Sequence, residues 1–543
     1  MATLRNDARS LDVPDRQWII WQEQGIFTKN PDLVLLPSGK LLCVFNATDF
    51  HWPGEFSKIT VIESLDRGRT WGRPRIVAES YPARGDERWV TPRISRLGDG
   101  RLAINCDQND YRHCHETQPS GIYLWWSHDE GETWDGPHPT GVPGIEPDRV
   151  RELTDGTLLM GTHFTRAATQ KTTEAVLRST DGGKTWGGMA IIAGDRVHRY
   201  CEGAIIPLRS GRLACIMREN NHNNYPCYIS LSDDGGRTWS KPEEAPFSGD
   251  RPFAGQLPDG RTLVTYRNQA GKPGLYAWLG DVEVERGYRV ARAQAGATHS
   301  TARVQGRAGK RVSMGASLCD GTLLMTNDPD SVSRYLLMPP ESFTSEVSFE
   351  CDLQMEGPAG APAATVQIAR IGVCLTVSPD GLHLGWPHRR EHPSSNCQID
   401  MRRKRHLRIH HWGGLLTISV DGEPLLYSPV LGEELWDRSF FGNGPDHQGS
   451  VRWFGASYAI KNPTEPAHTW RWDARSGEYP NQYEIDRWLE LDYNSSTNPD
   501  HGYSSWVRFP DGEILVVDYT NEGAPPGKSM LKGYRLRAED FDA

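Results

Sequence analysis

The stretch CEGAIIPLRSGRLACIMREN occupies positions 201 to 220. Glu202 opens an apolar run that reads as a buried strand, and Arg218 closes the run that follows. Neither charge belongs in a core, where an unpaired ion is costly. At the two ends of one hairpin they can do chemistry. A carboxylate can draw a proton from a neighbouring group, and a guanidinium fork fits a carboxylate ligand. Other polar residues stand at comparable places. Arg93, Asp148 and Arg149 follow or adjoin the prolines Pro92 and Pro147, and Asp107, His163 and Arg267 close second strands. In a pocket His163 can act as a general base. The bland alternatives are strand-edge charges, rim salt bridges and a hydrogen-bonded surface histidine. One tight His/Cys cluster exists, RHCHE, with His113 and His115 on one face of a strand. No third ligand follows, so neither a metal nor another cofactor is expected.

These residues need a scaffold, and the chain announces one by repetition. SLDRGRTW starts at Ser64, SHDEGETW at Ser127, STDGGKTW at Ser179 and SDDGGRTW at Ser232. Each reads S-x-D-x-G-x-T-W, and the copies lie about 50 to 65 residues apart. The Asp can accept backbone N–H bonds in a tight turn, the Gly permits a left-handed φ, and the Trp can pack between sheets. Between the boxes run apolar hairpins, from Pro31, Pro92, Pro147, Glu202 and Phe253, with further candidates from Gly315 and Tyr503. Hairpins of this kind, each followed by further strands and a turn box, predict an all-β fold: a β-propeller of six or seven blades.

The period breaks near residue 338. ESFTSEVSFECDLQME, ATVQIARIGVCLTVSPDGLHLGW and HLRIHHWGGLLTISVDGEPLLY alternate apolar and polar residues without any box. This predicts an inserted antiparallel β-sandwich of laminin-G or concanavalin type. The expected domains are propeller blades over 1–338, the sandwich over 339–465, and a closing blade over 466–543.

Four Asp boxes in a propeller resemble the sialidase (neuraminidase, BNR-repeat) superfamily, over roughly residues 20–338 and 470–540. In that family a Glu opening an inner strand partners a catalytic Tyr, and an Arg ending the next strand holds the sugar's carboxylate. The resemblance puts Glu202 and Arg218 in those roles. GYSSWVRFPDGEILVVDY resembles the segment that delivers the nucleophilic Tyr, at Tyr503, and GTLLMTNDPDSVSRYLL the one that delivers a further Arg, at Arg334. The first blade departs from the pattern. Sialidases carry R-I-P there; this chain has Lys29-Asn30-Pro31, which keeps the charge and loses the fork. Asp49 or Glu55 could supply the general acid, with Asp49 the named candidate. Arg93, Asp148 and Arg267 are the further candidates for substrate contact, and His163 for catalysis. The resemblance implies an exo-acting glycoside hydrolase cleaving a terminal acidic sugar. It uses a Tyr nucleophile, which approaches an anionic sugar more easily than a carboxylate would. Two other readings compete: a polysaccharide lyase on uronate-containing glycans, with His163, Arg93 and Tyr503 as its machinery, and a non-catalytic glycan-binding propeller.

Composition narrows the partners. A net charge of −10 argues against nucleic acid, and no apolar run approaches a membrane span. The expected partner is a carbohydrate. The ten cysteines show no CxxC pair, which fits reduced thiols. The amino terminus, MATLRNDARSLDVPDRQW, lacks the apolar core of a signal peptide. The expectation is a cytoplasmic protein if the chain is complete, and a secreted one if a leader has been trimmed.

Overall fold

The computed structural model describes residues 9–11, 14–109, 115, 121–220, 226–268, 273–286, 294–295, 316–327, 334–336, 344–368, 371–385, 395–430, 439–443, 447–461, 463, 467–477, 480, 488–494, 496 and 499–542. His113 of the weighed metal pair lies outside them. The nine described cysteines are all free, and no described helix is long and apolar enough to cross a membrane.

Six small sheets among the described residues follow one plan. Blade 1 is Phe27–Leu35, Leu41–Thr48, Ser57–Ser64 and Arg75–Ser80, paired antiparallel in that order. Blade 2 runs from Arg88–Arg96 to Asp135–Pro139, blade 3 from Arg151–Glu152 to Gly187–Ala193, and blade 4 from Tyr200–Pro207 to Glu243–Glu244. Blade 5 begins with Asp250–Gln256, Thr262–Asn268 and Gly274–Gly280. Blade 6 consists of His501–Arg508, Ile514–Thr520 and Met530–Leu536, and takes its outer strand from the amino terminus, Gln17–Trp21.

The inner and middle strands read as continuous apolar runs because both sheet faces are covered. Alternate residues go to opposite neighbours. Leu41, Cys43 and Phe45 pack with Leu515 and Val517 of blade 6, while Leu42 and Val44 pack with Ile94 and Ile104 of blade 2. Four more clusters repeat this between blades 2 and 3, 3 and 4, 4 and 5, and 5 and 6. Six interfaces close the ring, so the described sheets form six blades.

Each of the four boxes caps the third strand of its blade. In the first, Ser64 Oγ and the Thr70 N–H donate to Asp66 Oδ1 at 2.8 and 2.9 Å, and the Gly68 N–H donates to Ser64 Oγ at 2.8 Å. Gly68 has φ +83°, and a Cβ there would lie 2.6 Å from Leu515 of blade 6. The glycine is therefore required twice, by its backbone and by the blade beside it. The same bonds recur around Asp129, Asp181 and Asp234.

The sandwich extends beyond the expected 339–465 at both ends. A seven-stranded sheet includes Gln294–Ala295, Arg334–Leu336 and Phe440–Gly442. A second sheet includes Ala316–Cys319, Thr322–Thr326, Glu346–Glu356 and Ser450–Lys461, and His468–Asp473 pairs with the last of these. Phe441 of one sheet meets Trp453 of the other with ring centroids 5.0 Å apart, which makes the two a sandwich. The hairpin from Gly315, expected as a blade, belongs to it. So do Arg334 and Trp470, which lie outside the expected 339–465. The pattern that misled is local: a hairpin with a Gly turn looks alike in either fold. The chain leaves blade 5 after Gly274–Gly280 and returns as that blade's fourth strand, Trp488–Tyr493. The insertion thus interrupts a blade rather than separating two.

Candidate functional site

Each inner strand begins with the same irregularity. Asn30, Thr91, Glu146, Glu202, Arg251 and Tyr503 have φ between +44° and +57°. In five blades the strand register shifts there, as between Cys201 and Ala204 or Gly502 and Ser505. In blade 3 the equivalent place lies between the Ile145–His163 bridge and the Arg151–Leu159 pair. These are β-bulges at the rim, which swing a side chain out of the sheet faces. A non-glycine residue held so costs about 1–3 kcal/mol, and such strain gathers at functional sites. Opposite the bulges, the second strands place Asn46, Asp107, His163, Arg218, Arg267 and Tyr519 around the same end of the ring.

The first ring converges. Asn30 Nδ2 lies 3.4 Å from Thr91 Oγ1 on the neutral side. On the charged side the Tyr503 hydroxyl donates to Glu202 Oε1 at 2.7 Å, and Arg218 Nη1 donates to the same oxygen at 3.0 Å. The Arg251 amide donates to Glu202 Oε2 at 2.9 Å, while its guanidinium donates to the carbonyls of Glu146 and Pro147 at 3.1 and 3.0 Å. Glu202 and Arg251 are buried, whereas Glu146 and Tyr503 keep access to solvent.

Burial and neighbouring charge set the protonation states. Burial works against the Glu202 anion, yet Arg218, Arg251 and the Tyr503 hydroxyl hold its carboxyl well below the usual range. Burial and the Glu202 charge push Glu146 up to about 8, so it carries a proton at neutral pH. Burial and the two glutamates push the Tyr503 phenol up. The site therefore holds one acid ionised, one acid protonated and a phenol whose proton already points at the ionised acid.

The other expected residues divide. His163 is in place, but its Nδ1 accepts the Glu202 N–H at 3.2 Å, and burial lowers its pKa to about 4. It orients Glu202 and is a poor base. Arg267 is in place beside Tyr503, its guanidinium carbon 5.2 Å from the ring centroid. Lys29 donates to the His51 carbonyl at 2.5 Å and is lowered by burial to about 8. Asp148 accepts the Ile205 N–H of blade 4 at 2.9 Å, so it joins two blades. Arg93 is buried one pleat beyond its bulge, with Asp32 and Asp148 among the charges nearest it. The Asp49 carboxylate accepts the N–H groups of Gly54 and Glu55 at 3.0 to 3.1 Å; it closes its own loop and touches neither Tyr503 nor Glu202 among the described contacts. Arg334 has its backbone in the sandwich, which removes it from the ring of blade ends. The blade-5 arginine at a second-strand end is Arg267.

Glu146, Arg251 and Asp250 were missed by sequence reasoning. A signal existed. Four of the six bulge residues precede a proline, at Pro31, Pro92, Pro147 and Pro252. Proline suits a bulge because it has no N–H to lose. Attention to the residues after those prolines picked the blade-joining positions instead of the ring.

The described residues form an all-β propeller with Asp boxes on its third strands and a charged ring at one end of its inner strands. Residues 110–276, spanning blades 2 to 5, match the family described as a BNR repeat-like domain. Among solved structures the chain is similar to a protein of unknown function from Dyadobacter fermentans, at 18% identity and TM-score 0.44, covering 61% of this chain and 96% of that one. It is similar to the Trypanosoma rangeli sialidase in complex with 2,3-difluorosialic acid, at 13% identity and TM-score 0.38, covering 82% and 96%. It is also similar to a Hadza microbial sialidase, at 19% identity and TM-score 0.38, covering 48% and 57%. No curated protein matches the sequence.

Proposed function

We propose that the protein is a glycoside hydrolase acting on the terminal sugar of a glycan, with Tyr503 as nucleophile, Glu202 as its base and Glu146 as general acid. The observation that carries this reading is the 2.7 Å bond from the Tyr503 hydroxyl to an ionised Glu202, with a protonated carboxylic acid beside it. Tyr503 Oη attacks the anomeric carbon as its proton passes to Glu202 Oε1. Glu146 gives its proton to the departing glycosidic oxygen, and the aglycone leaves as an alcohol. Water then attacks the anomeric carbon of the aryl glycoside formed with Tyr503, breaking its bond to the phenol oxygen, and gives a proton to Glu146. Glu202 returns its proton to the phenolate, and the free sugar departs. Developing positive charge on the sugar ring is what makes so weak a base as Glu202 sufficient.

A uronate lyase needs His163 as the base that takes a carbon-bound proton. The bond that Nδ1 accepts from the Glu202 N–H leaves only Nε2 for that task.

The test uses a panel of aryl glycosides, followed by a 2-deoxy-2-fluoro analogue of whichever sugar is turned over. The expected result is a sugar mass on the Tyr503 peptide, absent in Tyr503→Phe. Tyr503→Phe and Glu202→Gln should each cost about a thousandfold or more in kcat, and the double variant little further, as for groups acting as a unit. A Tyr503→Phe variant near wild type removes the nucleophile assignment.

A further inference from the structure

Arg218 and Arg267 are the two guanidiniums that the second strands bring closest to Tyr503 and Glu202. Paired forks of this kind recognise a carboxylate. Here the carboxylate is already present and belongs to the chain. Asp250 stands one residue before the Arg251 bulge and is 4% exposed. Its Oδ1 lies 2.9 Å from Arg218 Nε, and its Oδ2 accepts from Arg267 Nε and Nη2 at 3.0 and 2.9 Å. Arg218 spends Nη1 on Glu202, and Arg267 Nη1 faces the His501 carbonyl at 3.5 Å. The equivalent positions of the other blades carry Lys29, Val90, Ile145, Cys201 and Gly502, so blade 5 alone places an acid here. The other cations of the ring are engaged too, Arg251 by the two carbonyls of blade 3 and Lys29 by the His51 carbonyl.

We infer that Asp250 is a built-in carboxylate that fills the Arg218–Arg267 fork, sets the subsite beside Tyr503 for an uncharged sugar, and leaves a site for an external carboxylate when it is removed. The substrate half of this inference rests on the glycosidase reading; the ligand half does not. A second carboxylate brought by an acidic sugar would meet Asp250 and Glu202 as like charges, beside guanidiniums already ion-paired to them. A neutral sugar meets hydrogen-bonding groups without that repulsion. Asp250 is thus a specificity-determining residue rather than a catalytic one.

The experiment uses the full chain with Asp250→Gly, which removes the methylene and the carboxylate and leaves room for a two-carbon acid. Thermal melting is followed with acetate and with acetamide at constant ionic strength. Acetate at about 100 mM should raise the Tm of Asp250→Gly by about 2 °C or more, saturably, while acetamide does not and wild type responds to neither. Should the variant prove too unstable to melt cooperatively, acetate but not acetamide should restore the transition. A variant indifferent to acetate, or one that stays unfolded in its presence, overturns the inference. The second arm compares matched aryl glucosides and glucuronides, and galactosides and galacturonides. Wild type should prefer the neutral member at least tenfold, and Asp250→Gly should shift that ratio toward the acidic member at least tenfold. A wild type that prefers the acidic member also overturns it. Acetate binding without turnover of any glycoside leaves Asp250 as a fork-filling carboxylate and refutes the glycosidase reading instead.

Discussion

Glu146 and Glu202 are chemically the same side chain in two opposite states, and the difference is local. Glu202 receives the Tyr503 hydroxyl, the Arg218 guanidinium and the Arg251 amide. Glu146 receives burial and a negative neighbour. The two titrate as a pair, so the proton lost near pH 8 belongs to the dyad. If that proton is the one delivered to the leaving group, kcat/KM for an aryl glycoside falls as pH rises through about 8. Glu146→Gln should remove that limb and cost about 10²–10⁴-fold with a poor leaving group, but far less with a dinitrophenolate, which needs no proton. Stability should follow the same proton. The folded protein keeps it between the ordinary 4.5 and about 8 while the unfolded chain loses it. The contribution is therefore full below that window and fades as pH rises through it. The checking measurement is Tm against pH for wild type and Glu146→Gln: wild type should lose Tm relative to the variant as pH rises through that window.

At the scale of the element, the inner strand has two tasks that fall to successive positions. The bulge residue faces the ring, and the residue two places on secures the next blade. An inner strand has an unpaired edge, and its N–H groups need acceptors. Asp32 accepts from the Ile94 N–H of blade 2 at 2.9 Å, Asp148 from Ile205 of blade 4 at 2.9 Å, and Ser505 from Leu33 of blade 1 at 3.0 Å. Arg149 of blade 3 also reaches across to Asp32 and to Ser505. Glycine takes proline's place at position 203 because a Cβ there would lie 2.8 Å from both Cys215 Sγ and the Glu174 carboxyl carbon. Asp32→Ala leaves the part-buried Arg149 without its carboxylate partner. It should cost about 3–5 kcal/mol, read by urea denaturation, since breaking a buried pair leaves an uncompensated charge. The surviving folded fraction should keep the wild-type preference among sugars; a changed preference would move Asp32 into the substrate site.

At the scale of the molecule, the propeller is closed by Gln17–Trp21 completing blade 6, and the sandwich hangs from blade 5. Phe247, Tyr266 and Trp278 of the blade 4–5 interface lie in one continuous core cluster with Leu323, Phe349 and Trp453 of the sandwich. Among the described hydrogen bonds and ion pairs, none joins the ring of bulge residues to the sandwich. Trp278 pairs with Trp488, so a short turn can join Gly280 to Trp488 in place of the insertion. That excision should lower the Tm by uncovering apolar surface and leave turnover of a small aryl glycoside within about tenfold. Complete loss of turnover in a cooperatively melting variant would make the sandwich a wall of the site.

Much of this was legible because it is local. The Asp box needs only a serine, an aspartate, a glycine and a threonine within eight residues, and its bonds form inside that span. Apolar hairpins bounded by Gly turns disclosed the blades, and Glu202 and Arg218 betrayed themselves as charges at the ends of buried strands. Tertiary structure decided what depends on distant partners. Whether the hairpin from Gly315 joins a blade or a sandwich depends on the strand beside it, Ser450–Lys461, more than a hundred residues away. Which acid keeps its proton depends on how many cations reach it from other blades. Arg218 was expected to hold a ligand and is instead occupied by Asp250, a residue thirty-two positions later that only the turn into blade 5 brings to it. Sequence supplies the charged groups at the strand ends. Closure of the ring determines which of them neutralise one another, because Coulomb energy and burial depend on separations that no local pattern encodes.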